Sequence, residues 1–232
     1  MGVMRTLTAV GHRGDPYRVR ENTLPSLRSA FERGADAVEI DVRLTRDGVP
    51  VLLHDDTLQR LWGHDVRLDA VTAPQLRELT EGRVPTLREA LIATGAGRVM
   101  IDLPGASPEA VRTVVGQVRE CGARDRAYYC AGGNTMLAVR AADPGAEIAL
   151  TWTSLNPPRR VLIDAVTPAW LNYRFGLVER GLVDALHADG LLVSVWTPDT
   201  KRSMRRMLAA GVDSVTTNRV DALAAVRAGA GR

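Results

Sequence analysis

Side chains able to move protons and hold charge gather at the front of this sequence. The stretches are Gly11-His12-Arg13-Gly14, Glu21-Asn22-Thr23, Glu39-Ile40-Asp41 and His54-Asp55. The chain has four histidines, and two of them close short apolar runs. Imidazole titrates near neutrality, so His12 and His54 offer a general base and a general acid. Glu39 and Asp41 are two apart on an apolar, strand-like run, which aims both carboxylates the same way. Two carboxylates facing one spot repel unless a cation or a proton lies between them. An all-oxygen ligand set favours Mg²⁺ or Ca²⁺ over zinc. Asp102, at the end of a later apolar run, is a natural third ligand. Arg13 adds a permanent charge whose planar fork matches phosphate oxygens. The set has the parts needed to cleave a phosphate ester. The alternative fate of Glu39 and Asp41, a pair of arginine salt bridges, leaves an inward Glu-x-Asp at high cost in an apolar strand. His64, in a polar loop, and His187, late in a helix, read as structural.

These groups need a scaffold that brings strand ends together. Strand-like runs span 7–12, 37–44, 50–54, 99–103, 127–130, 147–152, 169–173, 191–196 and 214–217. Helical patterns fall at 22–33, 73–79, 87–93, 108–120, 135–142, 159–165, 178–188, 201–210 and 221–228. Asn22 or Thr23 serves as the cap of the first helix and Gly34 as its stop. Steady strand–helix alternation implies parallel pairing with right-handed crossovers. The Asp47-Gly48 turn is too short for such a crossover, so 50–54 is a hairpin excursion above the barrel mouth. Eight strands remain, and the expected fold is α/β, a single (β/α)8 TIM barrel. A doubly wound open sheet is the rival, but no G-x-G-x-x-G or Walker loop supports it. In such barrels the working groups sit at the C-terminal ends of the strands, where His12, Arg13, Glu39, Asp41, His54 and Asp102 all fall.

Composition sets outer limits. The 232 residues are 45% hydrophobic and 25% charged, which suits one domain covering 1–232. The net charge of +3 is too mild for a nucleic-acid arm and modestly favours anionic small molecules. Nearly all of the basic residues are arginine; Lys201 is the single lysine. Cys121 and Cys130 make neither a disulfide framework nor a metal motif. Residues 1–7 show no secretory leader pattern and no run approaches a membrane-spanning length. A cytoplasmic location is the default expectation, with no nucleic-acid partner, no integral membrane segment and an undetermined oligomeric state.

In order and spacing, His12-Arg13-Gly14, Glu21-Asn22-Thr23, Glu39-x-Asp41, Thr45-x-Asp47-Gly48, His54-Asp55 with Leu58 and Arg60, and Pro85-Thr86-Leu87 resemble the glycerophosphodiester phosphodiesterases. Trp196-Thr197, Gly211-Val212-Asp213 and Thr217-Asn218 extend the resemblance along essentially the whole chain. It implies a metal-dependent barrel that hydrolyses glycerophosphodiesters to glycerol 3-phosphate and an alcohol. It also implies His12 and His54 as the acid/base pair, Arg13 on the phosphate, and Glu39 and Asp41 on a divalent metal. Glu21 and Asn22 would orient His12 or contact the phosphate, and Trp196 would line the pocket mouth. Many members carry a large insertion after the His-Asp strand; here 57–84 is short, which implies a more open pocket. One departure is marked. The family usually shows Glu-x-Lys on its fourth strand, where this chain reads Asp102-Leu103-Pro104. Asp keeps a shorter carboxylate, but proline removes a cation, leaving Arg174 and Lys201 as candidates to replace it. A same-fold enzyme with a shifted substrate, such as a lysophospholipid or a sugar phosphodiester, and a degraded binding protein are the alternative readings.

Overall fold

The structure is a computed structural model, and it describes residues 7–154 and 156–230. Residues 1–6, where the sequence shows no leader pattern, lie outside the described residues. Among the described residues are nine strands. They are β1 (Thr8–Gly11), β2 (Ala37–Leu44), β3 (Pro50–Leu52), β4 (Arg98–Asp102), β5 (Ala127–Ala131), β6 (Ile148–Trp152), β7 (Trp170–Arg174), β8 (Leu192–Trp196) and β9 (Ser214–Thr217). The α-helices are α1 (Leu24–Glu32), α2 (Gln59–Trp62), α3 (Ala73–Leu79), α4 (Leu87–Ala93), α5 (Pro108–Glu120), α6 (Gly133–Ala142), α7 (Arg160–Val166), α8 (Arg180–Ala188), α9 (Lys201–Ala210) and α10 (Val220–Ala230).

Eight strands pair in parallel in the order β1-β9-β8-β7-β6-β5-β4-β2, and β1 also pairs with β2, which closes the ring. The (β/α)8 barrel expected from the alternation is the observed fold. β3 pairs antiparallel with β2 through Val42↔Leu52 and Leu44↔Pro50, as the short Asp47-Gly48 turn demands. Period-two alternation sorts each strand between two cores. Val38, Ile40, Ile101, Leu171, Val193 and Val215 face the helices. Met100, Tyr128, Cys130, Ala149 and Trp170 fill the barrel interior. The inward positions nearer the C-terminal ends turn polar.

Element ends differ from the sequence reading by a few residues. Thr23, not Asn22, caps α1: its hydroxyl accepts from the Ser26 amide at 3.4 Å. Asn22 adopts φ +54° and its side chain is used elsewhere. The helix before β7 starts one residue later than read, and a 3₁₀ turn (Phe175–Leu177) precedes α8. The turn carrying His12 is pressed against α1. A Cβ on Gly11 would lie 2.6 Å from the Gly14 carbonyl oxygen and 2.9 Å from Ala30 Cβ. Gly14 has φ +91°, and a Cβ there would meet the Ser26 backbone carbon at 2.6 Å. Only glycine fits either place.

The segment between β3 and α4 is more ordered than its polarity suggests. Besides α3 it holds α2 and a 3₁₀ turn at Leu68–Ala70. Val51, Leu53, Leu58, Leu68, Val71, Leu76 and Val84 form a satellite core of their own. That core braces the strand whose exit delivers His54. Leu58 is fully buried, so Leu58→Ala should cost about 2–5 kcal/mol through the cavity it leaves. Hydrogen exchange should show the loss in the 57–84 amides while the β4–β9 amides keep their protection. Uniform acceleration across the barrel would show that the satellite core is not a separate cooperative unit.

Candidate active site

The six groups singled out at the strand ends do converge. His12, Arg13, Glu39, Asp41, His54 and Asp102 line one cavity of about 270 Å³, together with Pro104, Cys130, Thr151, Asn172, Trp196 and Thr216. The register Asp41↔Asp102 between β2 and β4 places those carboxylates side by side, with Glu39 two residues back along the same face. One oxygen from each of Glu39, Asp41 and Asp102 lies within 4.8 Å of the others. Glu39 and Asp41 are buried. Burial, reinforced by Asp41 and Asp102, pushes Glu39 well above the usual carboxylate range. Burial and then Asp41 push Asp102 up to about 7. Two buried carboxylates and the half-buried Asp102 repel one another unless a cation or protons lie between them, so the donor set fits a hard divalent ion.

Two residues in the left-handed region fix this cluster. Arg13 (φ +57°) turns its backbone amide onto Glu39 Oε2 at 2.9 Å. Asn22 (φ +54°) donates from Nδ2 to Asp41 Oδ2 at 2.7 Å, and its Oδ1 accepts the Asp41 amide at 3.3 Å. The Asn22 amide in turn donates to the Arg13 carbonyl at 3.0 Å. Such backbone costs of order 1–3 kcal/mol each and persists only where the surroundings over-determine it.

A chain of charges joins the two histidine sides. Arg13 Nε stands 3.1 Å from Asp41 Oδ2, and Nη1 donates to Glu21 Oε1 at 2.9 Å. Arg60 Nη2 donates to the same Glu21 oxygen at 2.6 Å, and Arg60 Nε to Asp55 Oδ2 at 2.5 Å. Asp55 Oδ1 accepts from His54 Nδ1 at 2.7 Å. Burial works against ionising Glu21, but the bonds and charges of Arg60 and Arg13 outweigh it and pull the carboxyl down. The Arg60 hydrogen bond is the main reason Asp55 lies at about 2. Arg43 Nε donates to the His54 carbonyl at 2.8 Å, tying that loop back to β2.

His12 is held differently. Its Nδ1 donates to Asn218 Oδ1 at 2.7 Å. Asn218 Nδ2 donates to Asp199 Oδ2 at 2.8 Å, and the Asn218 amide to Asp199 Oδ1 at 2.9 Å. A carboxylate can only accept, so the amide orientation, and through it the ring tautomer, is fixed by its partners. His12 Nε2 then faces the cavity, 3.9 Å from Glu39 Oε2. Burial and then Arg13 lower the pKa of His12, which favours the neutral ring.

The resemblance placed Glu21 and Asn22 near His12 or a phosphate. The structure brings them to Arg13 and Asp41, and His12 belongs to Asn218. Asn218 and Asp199 carried no role in the sequence reading, although Asn218 directly follows β9 and the strand-end rule reaches it. His64 Nε2 donates to the Leu79 carbonyl (2.9 Å) and His187 Nε2 to Asp213 Oδ2 (2.7 Å), and neither lines the cavity. Pro104 lines the cavity where the family carries lysine. Lys201 is exposed at the start of α9. Trp196 Nε1 and Thr216 Oγ1 are buried without partners among the described residues, and both residues line the cavity.

The sequence model of the glycerophosphoryl diester phosphodiesterase family matches residues 12–222. The chain belongs to that family, and with it to the phosphoric diester hydrolases. A glycerophosphodiester phosphodiesterase of Caldanaerobacter subterraneus subsp. tengcongensis is 28% identical over 93% of this chain and 95% of its own. Glycerophosphodiester phosphodiesterase 1 of Rattus norvegicus is 40% identical over 37% of this chain and 29% of its own. In fold, the Thermotoga maritima glycerophosphodiester phosphodiesterase superposes with a TM-score of 0.83 at 24% identity, covering 95% of this chain and 98% of its own. An Oleispira antarctica phosphodiesterase, solved with the product sn-glycerol-3-phosphate, gives 0.87 at 22% identity over 94% and 96%. Among the described residues no helix is long and apolar enough to cross a membrane.

The triad gives stability a definite pH sign. Glu39 and Asp102 hold protons more tightly folded than unfolded. In chelated protein they therefore cost nothing below their unfolded pKa of about 4. The penalty grows as pH rises until Asp102 ionises at about 7. The lowered His12 contributes in the opposite sense, so Asp102→Asn is the reference. With EDTA, the wild-type Tm relative to that of Asp102→Asn should fall between about pH 4 and about pH 7. Millimolar Mg²⁺ or Ca²⁺ should flatten the trend. A difference that ignores pH in EDTA would mean the three carboxylates do not compete for one charge.

Proposed function

We propose that this chain, acting as one domain over 1–232, is a divalent-metal-dependent phosphodiesterase that hydrolyses glycerophosphodiesters to glycerol 3-phosphate and an alcohol. The observation that carries this reading is the meeting of two independently oriented histidines with a cluster of three carboxylates in one cavity. Supporting it are the Caldanaerobacter relative over nearly its full length and the product held by the Oleispira neighbour.

Glu39, Asp41 and Asp102 would hold Mg²⁺ or Ca²⁺. The ion would supply charge to a phosphate oxygen as the transition state gains negative character. His12, kept neutral by burial and fixed as the Nδ1–H tautomer by Asn218, takes the proton of the attacking hydroxyl at Nε2. If that hydroxyl is the substrate's own rather than water, the first product is a cyclic phosphate that a water must then open to give glycerol 3-phosphate. His54, held at Nδ1 by Asp55, gives a proton from Nε2 to the departing alkoxide. The alcohol leaves neutral and the phosphorus–oxygen bond to it breaks. Arg13 holds phosphate oxygen, with its own position set by Glu21 and Asp41. Glu21 and Asn22 serve the substrate through Arg13 and Asp41. Trp196 offers its ring edge and an open Nε1 donor to the organic part of the diester. An intact set of this kind has no structural purpose, which argues against a degraded binding protein.

The test is release of glycerol 3-phosphate from glycerophosphodiesters with Mg²⁺, with Ca²⁺ and with EDTA. Metal-dependent release is expected; a folded protein silent on every diester and lysophospholipid offered would sink the reading. His12→Ala and His54→Ala should each lose about 10²–10⁴-fold in kcat with Tm close to wild type. Asn218→Ala should lose less, by letting the ring choose its other tautomer, and should change the acidic limb of the pH–rate profile. Full activity in both histidine variants would remove the acid/base assignment.

A further inference from the structure

The cavity is electrically lopsided. Its β1–β4 side carries Arg13, three carboxylates and the histidines, whereas Cys130, Thr151, Asn172, Trp196 and Thr216 make an uncharged wall on β5–β9. Arg174 stands above that wall. Leu171 and Tyr173 belong to the outer core, Trp170 packs inside the barrel and Asn172 lines the cavity. Alternation therefore makes Arg174 the next inward position, at the mouth. Its guanidinium carbon lies 5.8 Å from the centroid of Trp196, its register neighbour on β8. Among the described residues no carboxylate pairs with Arg174, whereas Arg13 is committed to Glu21 and Asp41. Around the ring β1-β2-β4-β5-β6-β7-β8-β9, β7 is diametrically opposite β2. Arg174, exposed at the end of its strand, thus lies opposite Glu39 and Asp41 across the mouth, the side toward which a diester held by its phosphate at the triad would extend.

We infer that Arg174, seated on Trp196, is a specificity-determining residue that selects phosphodiesters whose far organic group carries an anionic substituent over those ending in an ammonium. The inference rests on the phosphodiesterase reading above. A guanidinium fork pairs with phosphate or carboxylate in two parallel bonds. A quaternary ammonium needs an open aromatic face; here a cation already shares the Trp196 ring and repels a second one.

The experiment compares kcat/KM for glycerophosphoinositol 4-phosphate, glycerophosphoinositol and glycerophosphocholine in wild type, Arg174→Gln, Arg174→Lys and Arg174→Glu. The first two substrates differ by one phosphate. Wild type should favour the phosphorylated one by about tenfold, the size of a charge-assisted contact. Arg174→Gln should bring that ratio near one while leaving glycerophosphoinositol almost unchanged, and Arg174→Lys should keep part of it. Arg174→Glu should invert it and raise glycerophosphocholine. An equal fall on all three substrates would overturn the inference by assigning Arg174 to the transferred phosphate. Unchanged ratios would overturn it by leaving Arg174 an idle surface side chain. Dissociation constants for the same compounds, measured by calorimetry on His12→Ala with and without Arg174→Gln, give a readout independent of turnover. Charge-selective binding without hydrolysis in the wild type would sink the phosphodiesterase reading and keep this one. Hydrolysis without charge preference would do the reverse.

Discussion

Three carboxylates forced against one another in a buried barrel mouth are the constraint around which this molecule is built. The apolar barrel below leaves Glu39 and Asp41 little solvent to screen their repulsion. Glu39 and Asp102 respond by holding on to protons. A cation between the three would relieve that repulsion, and no stable apolar core needs the arrangement. Everything nearby is arranged so that the three groups cannot turn away. The Arg13 amide grips Glu39, Asn22 grips Asp41 from both ends of its amide, and the β2–β4 ladder fixes Asp102 beside Asp41.

Holding them so requires backbone that ordinary side chains avoid. Arg13 and Asn22 both adopt positive φ, joined by a hydrogen bond between their main chains. The compensation is local: Gly11 and Gly14 let the turn press on α1, and the Ser26 hydroxyl donates to the Arg13 carbonyl at 3.0 Å while accepting from the Asp15 amide at 2.8 Å. The strained turn thus rests on the first turn of a capped helix, and the helix rests on the barrel. The charge chain from Arg13 through Glu21, Arg60 and Asp55 to His54 extends the same rigidity across the mouth. It crosses from the β1 loop to the segment after β3, which the satellite core under Leu58 keeps in place.

Strand-end chemistry was legible in the sequence because a barrel turns a one-dimensional pattern into a place. His12, Glu39, Asp41, His54 and Asp102 each close or nearly close an apolar run, and period-two alternation already says which way they point. The eight-strand count and the β3 excursion followed from one turn too short to cross over. Second-layer partners were not legible in that way. Asn22 looked like a helix cap because a small amide before an apolar run usually is one, and only tertiary contact with Asp41 redirects it. Asp199 lies in a loop with no periodicity, and its role depends on Asn218, nineteen residues on by chain and adjacent only in space. The order within 57–84 was hidden because its apolar residues are spaced for a small core of their own rather than for one helix face.

The barrel also divides its labour by side. The two histidines, Arg13 and the carboxylate triad come from β1, β2, the loop after β3 and β4, all delivered by the first 102 residues. The opposite wall comes from β5 to β9 and offers neutral polar groups: Asn172 donates to Thr151 and accepts from Ser194, so its own amide is satisfied within the wall. Trp196 Nε1 and Thr216 Oγ1, which find no partner in that layer, are left for whatever enters. Pro104, where the resemblance implies a lysine, falls on the charged side, whose lining cation is Arg13. Arg174 stands on the opposite, uncharged side, above Trp196. On the inference drawn for Arg174, cationic charge is thus divided between the carboxylate side of the mouth and the side that would read the alcohol.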